Sequence, residues 1–143
     1  MPFVSVTRLR IRSVRFLPQF LLAASRSRTQ LRAAAGFLEG RLMLELPFAF
    51  WTASVWDTRE SMRAFRNAPP HLQAMRELPR WCDEASYVHW EQSDAAMPSI
   101  DVSHARLDGE GKLSKVHHPT AAHAAGRTVS DKKPRPAPTF RAK

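Results

Sequence analysis

The order of hydrophobic patterns in the first 91 residues is the feature that most constrains the fold. Apolar side chains alternate at a period of two in four short runs, which is typical of strands with one buried face. They recur at spacings of three and four residues in two longer runs, as in amphipathic helices. The strands are predicted at residues 3–11, 37–46, 50–56 and 85–90, with one helix after the first strand and one after the third. This order, β-α-β-β-α-β, predicts an α+β fold of the ferredoxin-like, split βαβ kind: a four-stranded antiparallel sheet with two helices on one face.

Residues suited to helix ends support these boundaries. Ser13 is the predicted N-cap of the first helix, and Gly36 is its predicted stop. Asp57 or Thr58 caps the second helix, which the pair Pro69-Pro70 interrupts. Both helices are therefore predicted to begin and end close to these positions.

Two helices can cover only one side of such a sheet, so the other side needs a different cover. In the second strand four leucines face one way: Leu38, Leu42, Leu44 and Leu46. Phe37 and Met43 face the other way, and Trp51 of the third strand is predicted to join them. A sheet face with this much apolar area is poorly suited to water. We therefore predict a homodimer in which two copies pair through these sheet faces.

The composition changes near Gln92. All four tryptophans, the one tyrosine and seven of the eight phenylalanines precede it. The residues that follow are too poor in large apolar groups to offset the entropy of ordering them. We predict a folded domain at residues 1–91, a partly ordered extension at 92–116 with a short helix near 100–107, and a disordered basic tail at 117–143.

The net charge of +9 is spread along the chain and not gathered in one segment. Residues up to Glu91 carry +5, and the remainder carry +4. No motif that reads bases accompanies this charge, so nucleic acid is not expected as a partner.

Cys82 is the only cysteine, so one chain can form neither an internal disulfide nor a cysteine-based metal cluster. A reducing, cytoplasmic location is therefore expected. No cationic neighbour in the sequence would activate this thiol, and we interpret it as structural. No apolar run is long enough to span a bilayer.

The run from Phe50 to Phe65 resembles the third strand and second helix of the antibiotic biosynthesis monooxygenase-like superfamily. In that motif a strand ending in Val-Trp and an acidic residue leads into Glu-Ser-Met, as residues 55–57 and 60–62 do here. Residues 70–76 and 81–84 are similar to an uncharacterised branch near spheroidene monooxygenase. The resemblance covers about two-thirds of the chain and implies a dimeric α+β barrel. Members include cofactor-free quinone-forming monooxygenases, haem-degrading and haem-dependent enzymes, and proteins without known activity.

His71 is the catalytic candidate, since it follows Pro69-Pro70 on the second helix. The resemblance implies an iron-ligating histidine on this helix in haem-degrading relatives, at a position that falls near Met75 here. One helical turn separates the two positions, so His71 would be the metal ligand if haem is bound. The alternative is that His71 satisfies backbone groups left exposed by the prolines.

A flat apolar ligand, such as a quinone, polyene or porphyrin, would suit a cavity between sheet and helices walled by large side chains. The predicted ligand-binding residues are Trp51, Trp56, Phe65, Met75, Arg8 and Arg41. Core packing is the alternative for the apolar members, and pairing with Glu39 or Glu45 across strands is the alternative for the arginines. His89 is interpreted as a buried interface histidine, if its face meets the partner sheet.

Two function classes remain open. The first is a monooxygenase-like enzyme that acts on a flat hydrophobic molecule, either with haem or without a cofactor. The second is a non-catalytic dimeric module that binds a ligand or assists another enzyme. A fold of this kind hosts both, so the choice depends on the site.

Overall fold

An antiparallel sheet of six strands organises the chain in the computed structural model, which describes residues 1–143. The strands are β1 (Phe3–Ile11), β2 (Phe37–Glu45), β3 (Ala49–Trp56), β4 (Cys82–Glu91), β5 (Lys112–Leu113) and β6 (Arg135–Arg141). The helices are α1 (Leu17–Arg32), which follows a short 3-10 turn (Val14–Phe16), α2 (Arg59–Arg66), α3 (His71–Trp81), α4 (Ile100–Glu110) and α5 (Ala121–Ala124). The strands lie side by side in the order β5-β4-β1-β3-β2-β6.

The predicted β-α-β-β-α-β order is confirmed, with two differences of detail. The second predicted helix is divided into α2 and α3, because Pro69 and Pro70 lie between them and neither can donate a backbone hydrogen bond. The sheet also has six strands in place of the predicted four, since β5 pairs with β4 and β6 pairs with β2.

The predicted helix ends are set by local contacts. The Ser13 hydroxyl accepts a hydrogen bond from the Arg15 amide at 3.4 Å before α1. Between the two candidates for the next cap, Thr58 holds the position, because its hydroxyl accepts from the Ser61 amide at 3.2 Å. Gly36 turns the chain after α1 with φ at +85°, a region that favours glycine.

Three helices, α1 to α3, pack on one side of the sheet. Phe20 of α1 and Trp81 of α3 share an apolar cluster with Ile11 of β1. Leu31 of α1 and Met62 of α2 share a second cluster, which also holds these aromatic residues: Phe3, Phe37, Trp56 and Phe140. Both predicted helices therefore lie on one face, as the ferredoxin-like arrangement requires.

The opposite side of the sheet is covered by the chain itself. Its apolar cluster consists of strand residues together with Leu107 of α4 and Val129: Val4, Val6, Met43, Trp51, Ala53, Val55, Val88 and Trp90. Trp51 and Leu107 both have 0 % of their surface exposed. The premise of the predicted sheet-face homodimer, an apolar face left in water, is therefore wrong for the full chain.

The last segment is also more structured than the composition predicted. We call residues 92–143 the C-terminal extension; it contains α4, β5, α5 and β6. Strand β6 pairs with β2, and its Phe140 lies opposite Gly40. The prediction considered only whether this segment could build a core of its own, whereas it packs on a sheet that already exists. Prolines are tolerated in β6 because it is an edge strand.

The side chains of β2 do not alternate as strictly as predicted. An irregularity in pairing between Phe37 and Glu39 breaks the alternation there, and Phe37 packs with Trp56 on the helix-bearing side instead of beside Met43. Leu42 and Leu44 stay partly exposed, since the helices do not reach over the whole of this strand.

None of the helices combines the length and apolar character needed to cross a bilayer.

Candidate functional site

A cavity of about 280 Å³ lies between α2 and β4, on the helix-bearing side of the sheet. Its lining is aromatic and cationic, with few other polar groups: Phe3, Arg59, Met62, Arg63, Arg66, Tyr87, Val88, His89, Glu110 and Lys112. We call it the α2–β4 cavity. A smaller space of about 170 Å³ adjoins it at Arg59, but that space contains the carboxylates of Glu60 and Glu91 and no histidine.

Secondary structure explains how these side chains meet. Arg59, Arg63 and Arg66 are spaced by four and three residues along α2, so they share one face of the helix. Tyr87 and His89 are two residues apart on β4 and therefore point to the same side of the sheet. The short strand β5 adds Lys112, which pairs in register with Tyr87.

His89 stands at the aromatic wall of the cavity. Its ring lies 5.4 Å from the ring of Phe3 and 5.2 Å from that of Tyr87, between centroids. Neither ring nitrogen of His89 forms a hydrogen bond within the chain. Three other histidines, in contrast, each bond a backbone carbonyl through a ring nitrogen: His71, His104 and His123. The ring of His89 is therefore available to a ligand.

The pKa of His89 is lowered to about 4. Burial is the largest cause, because it disfavours the charged ring, and the positive charge of Arg66, Arg59, Arg63 and Lys112 adds to the effect. At neutral pH the ring is uncharged and has a nitrogen lone pair with which to accept a proton.

The cations of the cavity are largely free of carboxylate partners. Arg63, Arg66 and Lys112 form no ion pair within 4 Å, and Arg59 is 3.9 Å from Glu91 at a half-exposed position. The carboxylate of Glu110 is already paired with Arg106. The α2–β4 cavity therefore presents positive charge to an incoming molecule, and it favours an anion.

His71, the catalytic candidate from the sequence, lies outside this cavity. Its ring packs 4.6 Å from the ring of Phe65, and its Nδ1 lies 3.3 Å from the Arg66 carbonyl oxygen. Its backbone amide donates to Oε1 of Gln30 at 2.8 Å, and burial lowers its pKa. These contacts match the alternative interpretation, in which His71 satisfies backbone groups next to the prolines.

The predicted ligand-binding residues do not form one site. Trp56 packs against Phe65 at 5.4 Å beneath α2, whereas Met75 on α3 is partly exposed. Trp51 and the two predicted arginines lie on the opposite side of the sheet, because strand side chains alternate. None of the seven predicted site residues lines the α2–β4 cavity. These seven residues therefore do not line one pocket. A ligand-binding role for any single one of the seven stays a prediction.

The two arginines differ in their surroundings. Arg8 forms two bonds to Glu45, at 3.0 and 2.9 Å, and a third to Glu84 at 2.7 Å. This confirms the cross-strand alternative for Arg8. Arg41 keeps a buried Nε without a hydrogen-bond partner.

Haem does not fit the residues present. The cavity of about 280 Å³ is small for a porphyrin, and it is not lined by His71. His71 directs one ring nitrogen to a carbonyl group and packs its ring on Phe65.

The sequence reasoning missed His89 because it assigned that face of β4 to a partner subunit. The structure places His89 on the helix-bearing side of the sheet, against Phe3. The spacing of Arg59, Arg63 and Arg66 on α2 was the available signal, since it predicts a cationic helix face above β4.

An antiparallel sheet with helices on one side and a cationic aromatic cavity between them defines a small ferredoxin-like α+β protein. The sequence profile of the antibiotic biosynthesis monooxygenase family matches residues 2–77, which is more than half of the chain. The chain belongs to this family, and the resemblance noted from its third strand and second helix is confirmed.

Solved structures agree on the fold. SnoaB, a cofactor-independent oxygenase from Streptomyces nogalater, shares 15 % identity and a TM-score of 0.55; the match covers 68 % of this chain and 98 % of SnoaB. Rv0793 from Mycobacterium tuberculosis shares 15 % identity and a TM-score of 0.59, over 67 % of this chain and 99 % of Rv0793. No curated protein matches the sequence.

Proposed function

We propose that this is a monooxygenase-like protein that binds a small, flat, weakly acidic aromatic molecule in the α2–β4 cavity. The observation that carries the proposal is a neutral histidine, His89, without a hydrogen-bond partner in the chain, among four cationic side chains. A cavity of about 280 Å³ suits a quinone-sized ligand better than a polyene or a porphyrin.

The aromatic and cationic groups would hold different parts of this ligand. Phe3 and Tyr87 offer ring surfaces against which a flat molecule can pack. Arg63, Arg66 and Lys112 offer positive charge where the ligand carries or develops negative charge.

His89 would then act as a general base. Its ring nitrogen takes the proton from an acidic O–H or C–H bond, and the electron pair of that bond stays on the ligand as an enolate or phenolate. The arginines stabilise this anion. Its negative charge in turn offsets the cations around His89, so the pKa of the histidine rises as the proton arrives.

Dioxygen is the oxidant that a monooxygenase uses. With an activated methylene group as substrate, one oxygen atom becomes the product carbonyl and the other leaves as water, with both methylene hydrogens. The description of SnoaB as a cofactor-independent oxygenase supports this chemistry for a protein of the same fold.

The second candidate is a binding module without turnover. Glu110 is the only carboxylate in the lining, and it is paired with Arg106, so the cavity offers no free carboxylate beside His89. The same cations and the same uncharged ring would then hold an anionic aromatic molecule and leave it unchanged.

An absorption titration with a hydroxyanthrone at pH 7 tests the proposal. Without oxygen, we expect the long-wavelength band of the ionised ligand to grow as protein is added. With oxygen, we expect it to convert to the quinone. His89→Gln should remove both changes, whereas His117→Gln, at an exposed position, should not. Binding without oxygen consumption would favour the module, and no binding by the wild-type protein would refute the cavity as the site.

A further inference from the structure

The sheet face opposite α1–α3 is closed by the protein's own C-terminal extension. Leu107 of α4 and Val129 share one apolar cluster with strand residues such as Val6 and Trp51. Trp51, Val6 and Leu107 have no exposed surface. The apolar area from which the sequence predicted a dimer is thus already buried within one chain.

Polar groups make this closure specific. Ser130 donates a hydrogen bond to Oε2 of Glu45 at 2.8 Å, and Thr120 donates one to Oε2 of Glu84 at 2.7 Å. Ser86 of β4 donates to the Thr128 carbonyl oxygen at 2.6 Å. A segment that merely collapsed onto the face would leave Ser86 and one carboxylate oxygen of Glu84 without partners, which is costly in a buried place. The C-terminal extension instead forms a hydrogen bond with Glu45, Glu84 and Ser86.

An aromatic contact adds to this match. The rings of Trp51 and His104 stack with centroids 6.0 Å apart and planes 19° from parallel. Nε2 of His104 also lies 3.2 Å from the Ser130 carbonyl oxygen. Helix α4 and the segment before β6 therefore support each other above Trp51.

The lengths of the structural neighbours give a second observation. About two-thirds of this chain covers 98 % of SnoaB and 99 % of Rv0793. The remaining third has no counterpart in those folds, and its share of the chain is about that of residues 92–143. Folds of this kind thus reach almost their full length in a match to only two-thirds of this chain.

We propose that the C-terminal extension takes the place of a second subunit on this sheet face. Two occupants can bury the face, the extension or another copy of the chain, and they exclude each other because both need the same apolar residues. The tethered occupant has the advantage of a high effective concentration. The full chain therefore closes this sheet face in cis. Two sheet faces can pair only in chains whose extension has been displaced.

Isotope-filtered NMR measurements on a mixture of labelled and unlabelled chains test directly whether the extension covers the sheet face of its own chain. Labelled and unlabelled protein are unfolded together, refolded and compared with a uniformly labelled sample. We expect contacts between the Trp51 and His104 rings in the uniform sample, and no contact at Trp51 that joins two different chains. Contacts of Trp51 with residues of another chain would overturn the proposal.

A charge at the docking surface tests the role of the extension. In the full chain, Ser130→Asp places a second carboxylate against Glu45, whereas Ser93→Asp makes the same chemical change at an exposed site of the extension. Two sheet faces can associate only in open chains, in which the extension has left the face. A tenfold larger fraction of open chains should therefore make self-association about tenfold stronger or more. Sedimentation should show this for Ser130→Asp and for Leu107→Asp, but not for Ser93→Asp. Unchanged self-association in both test variants would overturn the proposal.

Discussion

Arg8 and Glu45 lie 37 residues apart and form a two-point ion pair on the extension-covered side of the sheet, with bonds of 3.0 and 2.9 Å. Glu45 also accepts bonds from Trp51 Nε1 and from Ser130, so this carboxylate joins β1, β2, β3 and the extension. Burial is the largest single influence and would raise its pKa, but the bonds and charge of Arg8, together with the bonds from Ser130 and Trp51, lower it overall.

Removing Arg8 should therefore destabilise the protein strongly. Arg8→Met leaves Glu45 and Glu84 buried without their cation, and we expect a loss of about 3–5 kcal/mol in the free energy of unfolding. Arg106→Met breaks an exposed pair with Glu110, for which we expect about 0–1 kcal/mol. Urea denaturation at pH 7 compares the two; a loss in Arg8→Met no larger than that of the control would contradict the network.

His89 should make the protein less stable as the pH falls from about 6.5 towards 4. Its pKa is about 4 in the folded chain, below the ordinary value of 6.5, so the unfolded chain takes up a proton first within this window. The contribution is complete above pH 6.5 and is lost as the pH approaches 4. His89→Gln should flatten this part of the stability profile in urea experiments, whereas His117→Gln should follow the wild type.

The arginines of α2 should add to the effect of burial in lowering the pKa of His89. Arg66 is the largest charge contribution that lowers it, so Arg66→Gln should move the value back towards the ordinary one. Arg76 on α3 is exposed and does not line the cavity, so Arg76→Gln should leave the pKa unchanged. A pH titration of the His89 ring signals by NMR measures both, and equal values in both variants would argue against a cationic cavity.

Cys82 should be unreactive in the folded protein. The thiol has no exposed surface, and burial, aided by Asp83, raises its pKa to about 12. At pH 8 we expect no reaction with a disulfide reagent until urea unfolds the chain, after which one thiol should react. Fast labelling of the native protein would show that β4 opens at its first residue.

Gly36 should tolerate no side chain, unlike Gly109. Gly36 has φ at +85°, and a Cβ there would meet Asp57 and Ser61, so Gly36→Ala should cost about 1–3 kcal/mol. Gly109 lies in α4 with open space around it, so Gly109→Ala should stabilise the protein by about 1 kcal/mol or less. Thermal and urea denaturation distinguish these signs, and a neutral Gly36→Ala would contradict the turn described.

The periodic patterns of the first 91 residues were sufficient to predict most of the fold. Strands β1 to β4 and helix α1 follow from alternation, from helical spacing and from residues such as Ser13 and Gly36, because each of these signals acts over a few neighbouring residues. The pairing of Arg8 with Glu45 was also open to prediction from their opposite charges, but the sequence did not show that the pair spans β3, which lies between β1 and β2. The break between α2 and α3 was marked by Pro69-Pro70.

The candidate site and the packing of the C-terminal extension could be recognised only from the tertiary structure. The role proposed for His89 depends on its contact with β1 and on its position on the side of α2, which bring together residues 23 and more positions apart. Residues 92–143 could not be judged from their own composition, because the surface that orders them belongs to β1–β4. Local sequence determined which segments could form strands and helices. Only packing decided which faces met, since burial depends on partners that are distant along the chain.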